Sequence, residues 1–301
     1  MYPSLFIQGL SALTKRLHVQ HDKCKQIQEE LNRSLSGEHG ELHVYSILKN
    51  LQKETTILQN VYVNGQQIDL LLLLPSFCVV FEVKNIKGKL RFMQNPRQLI
   101  RTNNDGSEDI FQSPESQLEQ NIAAVQTFFE QHHIPIPIFY AIAFPFHNVS
   151  FIEVGKTPIV IGREVLNFVR NIGTYPAQIN VTLVGNLLRR DSNPWHRFPL
   201  CDYYKIDVRD ILCGPECPSC HTIPMKRVRY TWKCNQCGIT NQSAHIQALI
   251  DYRMLISETI TVREAKEYLG LRNRYEAIRM LNKHSLEKIG MNRSTKYKLK
   301  L

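Results

Sequence analysis

Two cysteine pairs, Cys217-Pro-Ser-Cys220 and Cys234-Asn-Gln-Cys237-Gly238, constrain this chain more than any other feature. Each C-x2-C turn sets two thiolates on one face of a tetrahedron. Two such turns, with 13 residues between them, close a four-sulfur Zn²⁺ site. The intervening MKRVRYTWK alternates as a strand does, and Gly238 permits the knuckle turn. Four protein ligands leave no open position, so such a zinc is structural. A redox dithiol is the competing chemistry, and the matching second pair argues against it. Five of the 8 cysteines lie in 213–237, whereas Cys24, Cys78 and Cys201 are isolated and read as small buried hydrophobes. Cys213 and His221 are spare candidates, and neither is expected to be a ligand.

Charge is distributed as unevenly as cysteine. The net charge is +10, and residues 221–301 hold 16 Lys and Arg against 6 Asp and Glu, while 1–220 holds 21 of each. A basic block of this kind suits a polyanionic partner. Within it, Thr261-Val262-Arg263-Glu264 is a capping box, Gly270 is a suitable turn residue, and Asn273-Arg274-Tyr275-Glu276 opens a second helix. Helix, short turn and helix form the helix-turn-helix plan, with Ala265, Leu269, Ile278 and Leu281 as packing positions. On that plan Arg272, Asn273, Arg274 and Arg279 would meet DNA at or near the recognition helix, and Lys296, Lys298 and Lys300 would meet phosphates. A helical protein-interaction domain is the alternative. Arg227, Arg229, Tyr230, Trp232 and Lys233 of the cysteine hairpin either touch nucleic acid or belong to a folding staple alone.

Upstream the pattern is α/β. Residues 1–36 form a helical lead-in. Val44, Ile47, Leu48 and Leu51 mark one helix face, and 57–63, 67–74 and 77–84 read as strands. The polar stretch 93–113 reads as a loop or insertion. A helix is expected over about 115–131, strands at 138–144 and 157–161, and a short helix at about 163–171. The expected domains are an α/β domain over 37–172, a connector over 173–212, a zinc ribbon over 213–242 and a basic helical domain over 243–301.

Two carboxylates sit where they are costly to bury. Asp69 lies in Ile-Asp-Leu-Leu-Leu-Leu-Leu, and Glu82 in Val-Val-Phe-Glu-Val-Lys, with Lys84 on the same strand face as Glu82. If Leu74 faces Phe77 across the Pro75-Ser76 turn, Asp69 stands opposite Glu82. Paired carboxylates that close need a cation between them, and oxygen ligands suit Mg²⁺ or Mn²⁺. Glu41, on the inward side of the first helix, could complete the set, with Glu38 one turn earlier. A purely structural role, satisfied by Lys84 or arginines, is the bland alternative.

The ordered set of Gly40-Glu41 on a helix, Asp69 in an apolar strand, Glu82-Val83-Lys84 and Pro114-Glu115-Ser116-Gln117 resembles the nuclease-related domain (NERD) family over about 37–150. That family belongs to the PD-(D/E)xK nuclease group, with a restriction-endonuclease-like core. The resemblance implies an acidic metal site of Glu41, Asp69 and Glu82, a catalytic lysine in Lys84, and an accessory polar group in Gln117, for which Gln120 competes. It implies phosphodiester hydrolysis with Mg²⁺ or Mn²⁺. The leading expectation is therefore a DNA endonuclease. The alternatives are a DNA-binding regulator that uses the fold as a scaffold, and an enzyme acting on RNA, for which no obvious aromatic platform is visible. The chain has no signal-peptide order, no apolar run of about 18 residues and no Walker-type phosphate loop. A cytoplasmic protein without a membrane span or ATPase activity is expected.

Overall fold

The structure is a computed structural model that describes residues 4–51, 54–192, 198–283, 287–290 and 295–299. It divides into two compact units, Leu35–Trp195 and a second made of Met1–Ser34 with His196–Leu301. Two helices open the chain, α1 (Leu5–Arg16) and α2 (Cys24–Leu48). The later turns of α2 belong to the first unit.

In that unit, β1 (Thr56–Val63), β2 (Gln66–Leu73) and β3 (Cys78–Val83) form an antiparallel meander. After β4 (Gly88–Gln94), β5 (Arg97–Thr102), β6 (Glu108–Gln112) and α3 (Pro114–Gln131), the chain adds β7 (Ile138–Phe144) parallel to β3. Then come β8 (Val149–Glu153), β9 (Ile159–Ile161), α4 (Glu164–Asn171) and α5 (Val181–Asp191). The main sheet has the order β1-β2-β3-β7-β9. Its central strand β3 is buried along its whole length, as an apolar run covered on both faces should be. Val44, Leu48 and Val165 from α2 and α4 cover one face, and Leu118, Val125, Phe128 and Leu188 from α3 and α5 cover the other.

The stretch 93–113, expected as a loop or insertion, carries β5, β6 and the end of β4, part of a second sheet of order β6-β5-β4-β8. Its polar surface hid an inner face: Leu99 is buried in the core beneath α3, beside Leu90 and Phe92 of β4 from just before the stretch. Only every second residue of a one-sided strand must be apolar, so short strands of this kind look like loop in composition. The segment 173–212, expected as a connector, contains α5, whose Asn180 side chain caps the Thr182 and Leu183 amides.

The second unit adds α6 (Leu200–Tyr204), a small sheet of β10 (Lys226–Val228), β11 (Thr231–Lys233) and β12 (Thr240–Asn241), then α7 (Ala244–Leu255). Next come β13 (Thr259–Thr261), α8 (Val262–Leu269), α9 (Arg274–Lys283), β14 (Glu287–Ile289) and β15 (Lys296–Lys298). The basic segment therefore does not stay helical to its end. A β-hairpin follows the helix pair and joins β13 in the order β13-β15-β14. The lead-in does not stand alone, since Leu10 and Leu13 of α1 share a core with Leu200, Tyr204, Met254 and Leu255. Arg16, fully buried, donates from Nε to Asp251 (2.9 Å) and from Nη1 to the Leu212 and Gly214 carbonyls. This leaves the guanidinium charge paired rather than stranded. No helix among the described residues is long and apolar enough to cross a membrane.

Candidate functional site

The β2–β3 ladder has the register anticipated from the turn: Leu73 pairs with Cys78, and Leu70 with Phe81. It stops one step short of Asp69 and Glu82. There Asp69 Oδ2 accepts the Val83 backbone N–H (2.9 Å), so a side chain takes the bond that a strand carbonyl would have filled. On its other side Asp69 faces Asn60, the one step missing from the β1–β2 ladder between Gln59–Leu70 and Val61–Ile68. Asn60 adopts a left-handed φ of 50°, which asparagine tolerates better than most residues. Both ladders thus open at one point, and Asp69 is freed from the sheet there.

Around that opening the side chains converge. Glu82, 4% exposed, accepts from Lys84 Nζ (2.7 Å) on Oε1 and from Asn121 Nδ2 (3.0 Å) on Oε2. Glu41 Oε2 accepts from Asn60 Nδ2 (2.8 Å), and Asn60 Oδ1 in turn accepts from Gln67 (2.6 Å). Burial pushes the Asp69 carboxyl well above the usual carboxylate range. The negative charges of Glu82 and Glu41 push the same way, against Lys84 and the Val83 N–H. Glu41 is raised for the same leading reason, burial, with Glu38 and Glu82 adding to it and Asn60 and Lys84 opposing. Gly40, just before Glu41, lets α2 approach the end of β3: a Cβ there would sit 2.8 Å from Asn85 Cβ.

Asp69, Glu82 and Lys84 line an open cleft of about 370 Å³, whose remaining wall is almost entirely amide: Gln66, Gln67, Gln112, Gln117, Gln120 and Asn121. Gln117 donates to Gln112 Oε1 (3.1 Å), and its own Oε1 is buried without a partner. Glu41 is not part of this lining. Among the described residues, Glu41, Asp69 and Glu82 do not close into a group with ligand atoms all within 4.8 Å of one another, as the four thiols do. The neighbouring acid Glu115 serves structure, accepting from Gln94 and from the Lys156 and Thr157 amides.

Asn121 was invisible to the sequence argument, although it lies one helical turn after Gln117 on α3. Its signal was a polar residue among the inward positions Leu118, Ile122 and Val125 of an otherwise apolar helix face.

Residues 36–145 match the family model of the nuclease-related domain. The chain carries a nuclease-related domain. The matched stretch holds every residue lining the cleft, together with Glu41. No curated protein matches the chain, and no solved structure does.

Outside the nuclease-related domain lies the cysteine cluster. The Sγ atoms of Cys217, Cys220, Cys234 and Cys237 all lie within 4.8 Å of one another, with Cys217–Cys237 at 3.6 Å and Cys220–Cys234 at 3.4 Å. A tetrahedron with Zn–S bonds of about 2.3 Å has sulfur–sulfur edges of about 3.8 Å, so the four fit a zinc ion. His221 instead faces Glu216 (2.6 Å), and Cys213 Sγ lies near the Ile211 carbonyl. The ribbon is not a separate body. Cys217, Met225, Trp232 and Cys234 share one core with Ala248, Tyr252, Ala265, Ala277 and Leu281.

Two of the hairpin side chains considered for nucleic-acid contact are committed elsewhere. Trp232 is fully buried and donates from Nε1 to His245 Nδ1 (3.2 Å). Arg227 lies over the Trp232 ring (4.9 Å) and bonds Glu276 of α9 (3.3 Å). Arg229, Tyr230 and Lys233 are exposed.

In the helix pair the capping box forms in both directions between Thr261 and Glu264, and Gly270 ends α8 in the left-handed conformation. Ala265, Leu269 and Leu281 are buried as expected and Ala277 is buried with them, while Met280 takes the buried place expected of Ile278, which is only half-buried. Arg272, Arg274 and Arg279 are exposed. So is Asn273, whose side chain caps α9 by accepting the Glu276 N–H (2.9 Å). Lys296 is exposed and Lys298 half-buried on β15; Lys300 lies outside the described residues.

Proposed function

We propose that this chain is a divalent-metal-dependent endonuclease that hydrolyses DNA phosphodiester bonds, with its zinc-bearing basic unit binding the substrate. The observation that carries the proposal is the meeting of Asp69, Glu82 and Lys84 on one wall of an open cleft inside the nuclease-related domain.

The residues fit a hard cation. Three acids, Glu41, Asp69 and Glu82, act on one another there against a single lysine, and the donors are all oxygen. Mg²⁺ keeps several waters and needs only one or two carboxylates, so Asp69 and Glu82 suffice as direct ligands, with Glu41 tuning the charge behind them. Bound there, Mg²⁺ or Mn²⁺ would polarise a phosphate and acidify its water.

The chain's own groups supply the rest. Lys84 holds an ammonium beside Glu82, where it can neutralise charge developing on the phosphate. Asn121 fixes the orientation of Glu82. The amides of Gln117, Gln120 and Gln112 offer donors to phosphate and sugar oxygens without adding charge. Structural Zn²⁺ on Cys217, Cys220, Cys234 and Cys237 would hold the basic unit, whose Arg272, Asn273, Arg274 and Arg279 would face DNA.

The test is cleavage of supercoiled and linear DNA, with an RNA control, in Mg²⁺, in Mn²⁺ and without added divalent ion. Metal-dependent nicking that Asp69→Ala and Lys84→Ala each reduce by about 10²-fold or more is expected. Tight DNA binding with no cleavage by the unmodified chain in either metal overturns the proposal. It would leave a DNA-binding protein on a nuclease-related scaffold.

A further inference from the structure

Two tyrosines in the zinc-bearing unit are turned to solvent. Tyr230, in the two-residue turn of the β10–β11 hairpin, is 77% exposed, and Tyr275, in the first turn of α9, is 83% exposed. Rings of this size usually find cover in a fold or in a partner. These two come from different modules, yet the Arg227–Glu276 ion pair ties their neighbourhoods together. Glu276 adjoins Tyr275, and Tyr230 lies three residues beyond Arg227, within about 10 Å of extended chain.

The tie is rigid. Arg227 is backed by the fully buried Trp232, and Glu276 also accepts the Arg272 N–H (3.4 Å) while Asn273 caps its own amide. It also removes the local negative charge, since Glu276 is spent on Arg227. By contrast Arg229, Arg272 and Arg274 are exposed, and no carboxylate among the described residues pairs with their side chains. The segments that this pair joins thus present two exposed aromatic rings and three exposed guanidinium groups.

We propose that Tyr230 and Tyr275, with Arg229, Arg272 and Arg274, form a platform for unpaired nucleotides at the point where a strand leaves a DNA duplex. The inference rests on the proposal that the basic unit binds DNA, and it names the class of DNA. Paired bases inside a duplex are stacked on both sides and offer no free face to a ring. Unpaired bases do, and stacking on tyrosine tolerates any base. The arginines meet phosphates on either side of the junction, which positions the strand without reading its sequence. A nuclease guided this way is directed to tails, flaps and gaps rather than to unbroken duplex.

The experiment uses the full, zinc-loaded chain without added Mg²⁺ and follows fluorescence anisotropy of three labelled DNAs: a blunt duplex, the same duplex with a single-stranded tail, and the tail alone. The tailed duplex should bind at least about tenfold more tightly than the blunt one. Combining Tyr230→Ala with Tyr275→Ala should erase that difference and leave blunt-duplex affinity unchanged. Phenylalanine at both positions should keep it. Arg272→Ala with Arg274→Ala should weaken all three DNAs. The inference is overturned if the tailed duplex has no advantage, or if the advantage survives loss of both rings; blunt-duplex binding then still supports the DNA-binding proposal. Failure of the unmodified chain to bind any of the three overturns both. Zinc content and far-ultraviolet circular dichroism confirm that each variant is folded.

Discussion

Removing zinc should unfold far more than a ribbon. Cys217 and Cys234 are 0% and 1% exposed, and they share a core with Trp232, Tyr252, Ala265, Ala277 and Leu281, so a zinc ion held by the four thiols would sit at the edge of the helical core. Structural zinc is worth about 10–16 kcal/mol of folding free energy at neutral pH. A whole domain is stable by only about 5–15 kcal/mol. The loss therefore matches or exceeds the stability of the body that contains α8 and α9, and those helices should open with the ribbon. The chain has 2 tryptophans, so Trp195→Phe leaves Trp232 as the reporter. On titration with a zinc chelator, Trp232 emission should move to the red as its ring leaves the core and the His245 contact. Backbone amides of α8 and α9 should lose hydrogen-exchange protection at the same zinc occupancy, and Cys234→Ser should reproduce both changes. If zinc leaves stoichiometrically while Trp232 emission and the protection of α8 and α9 stay as they were, the shared-core argument is wrong.

At the cleft, the raised Asp69 pKa makes its ionised form a liability when no divalent ion is bound. A carboxyl raised on folding stabilises the protein below its unfolded value, near 3.8, and that contribution is lost as pH climbs through the folded value. Without added Mg²⁺, Asp69→Asn should therefore be more resistant to urea than the unmodified chain at pH 8, with the gap narrowing toward pH 4. A gap that is reversed or flat with pH would refute this. Adding Mg²⁺ should raise the urea midpoint of the unmodified chain but not of the variant. Asn121→Ala removes the donor that orients Glu82 and should weaken Mn²⁺ binding by about 10–100-fold in calorimetry while DNA affinity holds. Unchanged Mn²⁺ affinity would show that Lys84 alone positions Glu82.

Some of this protein is written in local pattern. The cysteine spacing set the ribbon, because a C-x2-C turn is a local geometry. The Thr261–Glu264 box and Gly270 set the ends of α8, because capping bonds span only three or four residues. The register of β2 on β3 followed from one short turn, and an apolar strand containing Asp69 or Glu82 marks a candidate site because an acid there needs a partner.

What the pattern could not carry depends on residues far apart in the chain. The strands within 93–113 are held by a core contributed from α3 and β7, so their own composition looks like loop. Trp232 and Arg227 are open in sequence between nucleic-acid contact and a folding staple, until α7 and α9 pack against them. Asn121 gains its meaning only when β3 brings Glu82 beneath it, 39 residues away. The joining of the first helix to the last hundred residues depends on the Arg16–Asp251 pair, 235 residues apart. Hydrogen bonds and side-chain packing act over a few ångströms of space whatever the distance along the chain. A sequence thus determines its turns, caps and ligand knuckles by itself, and leaves to the tertiary fold which buried charges meet and which aromatic rings remain outside.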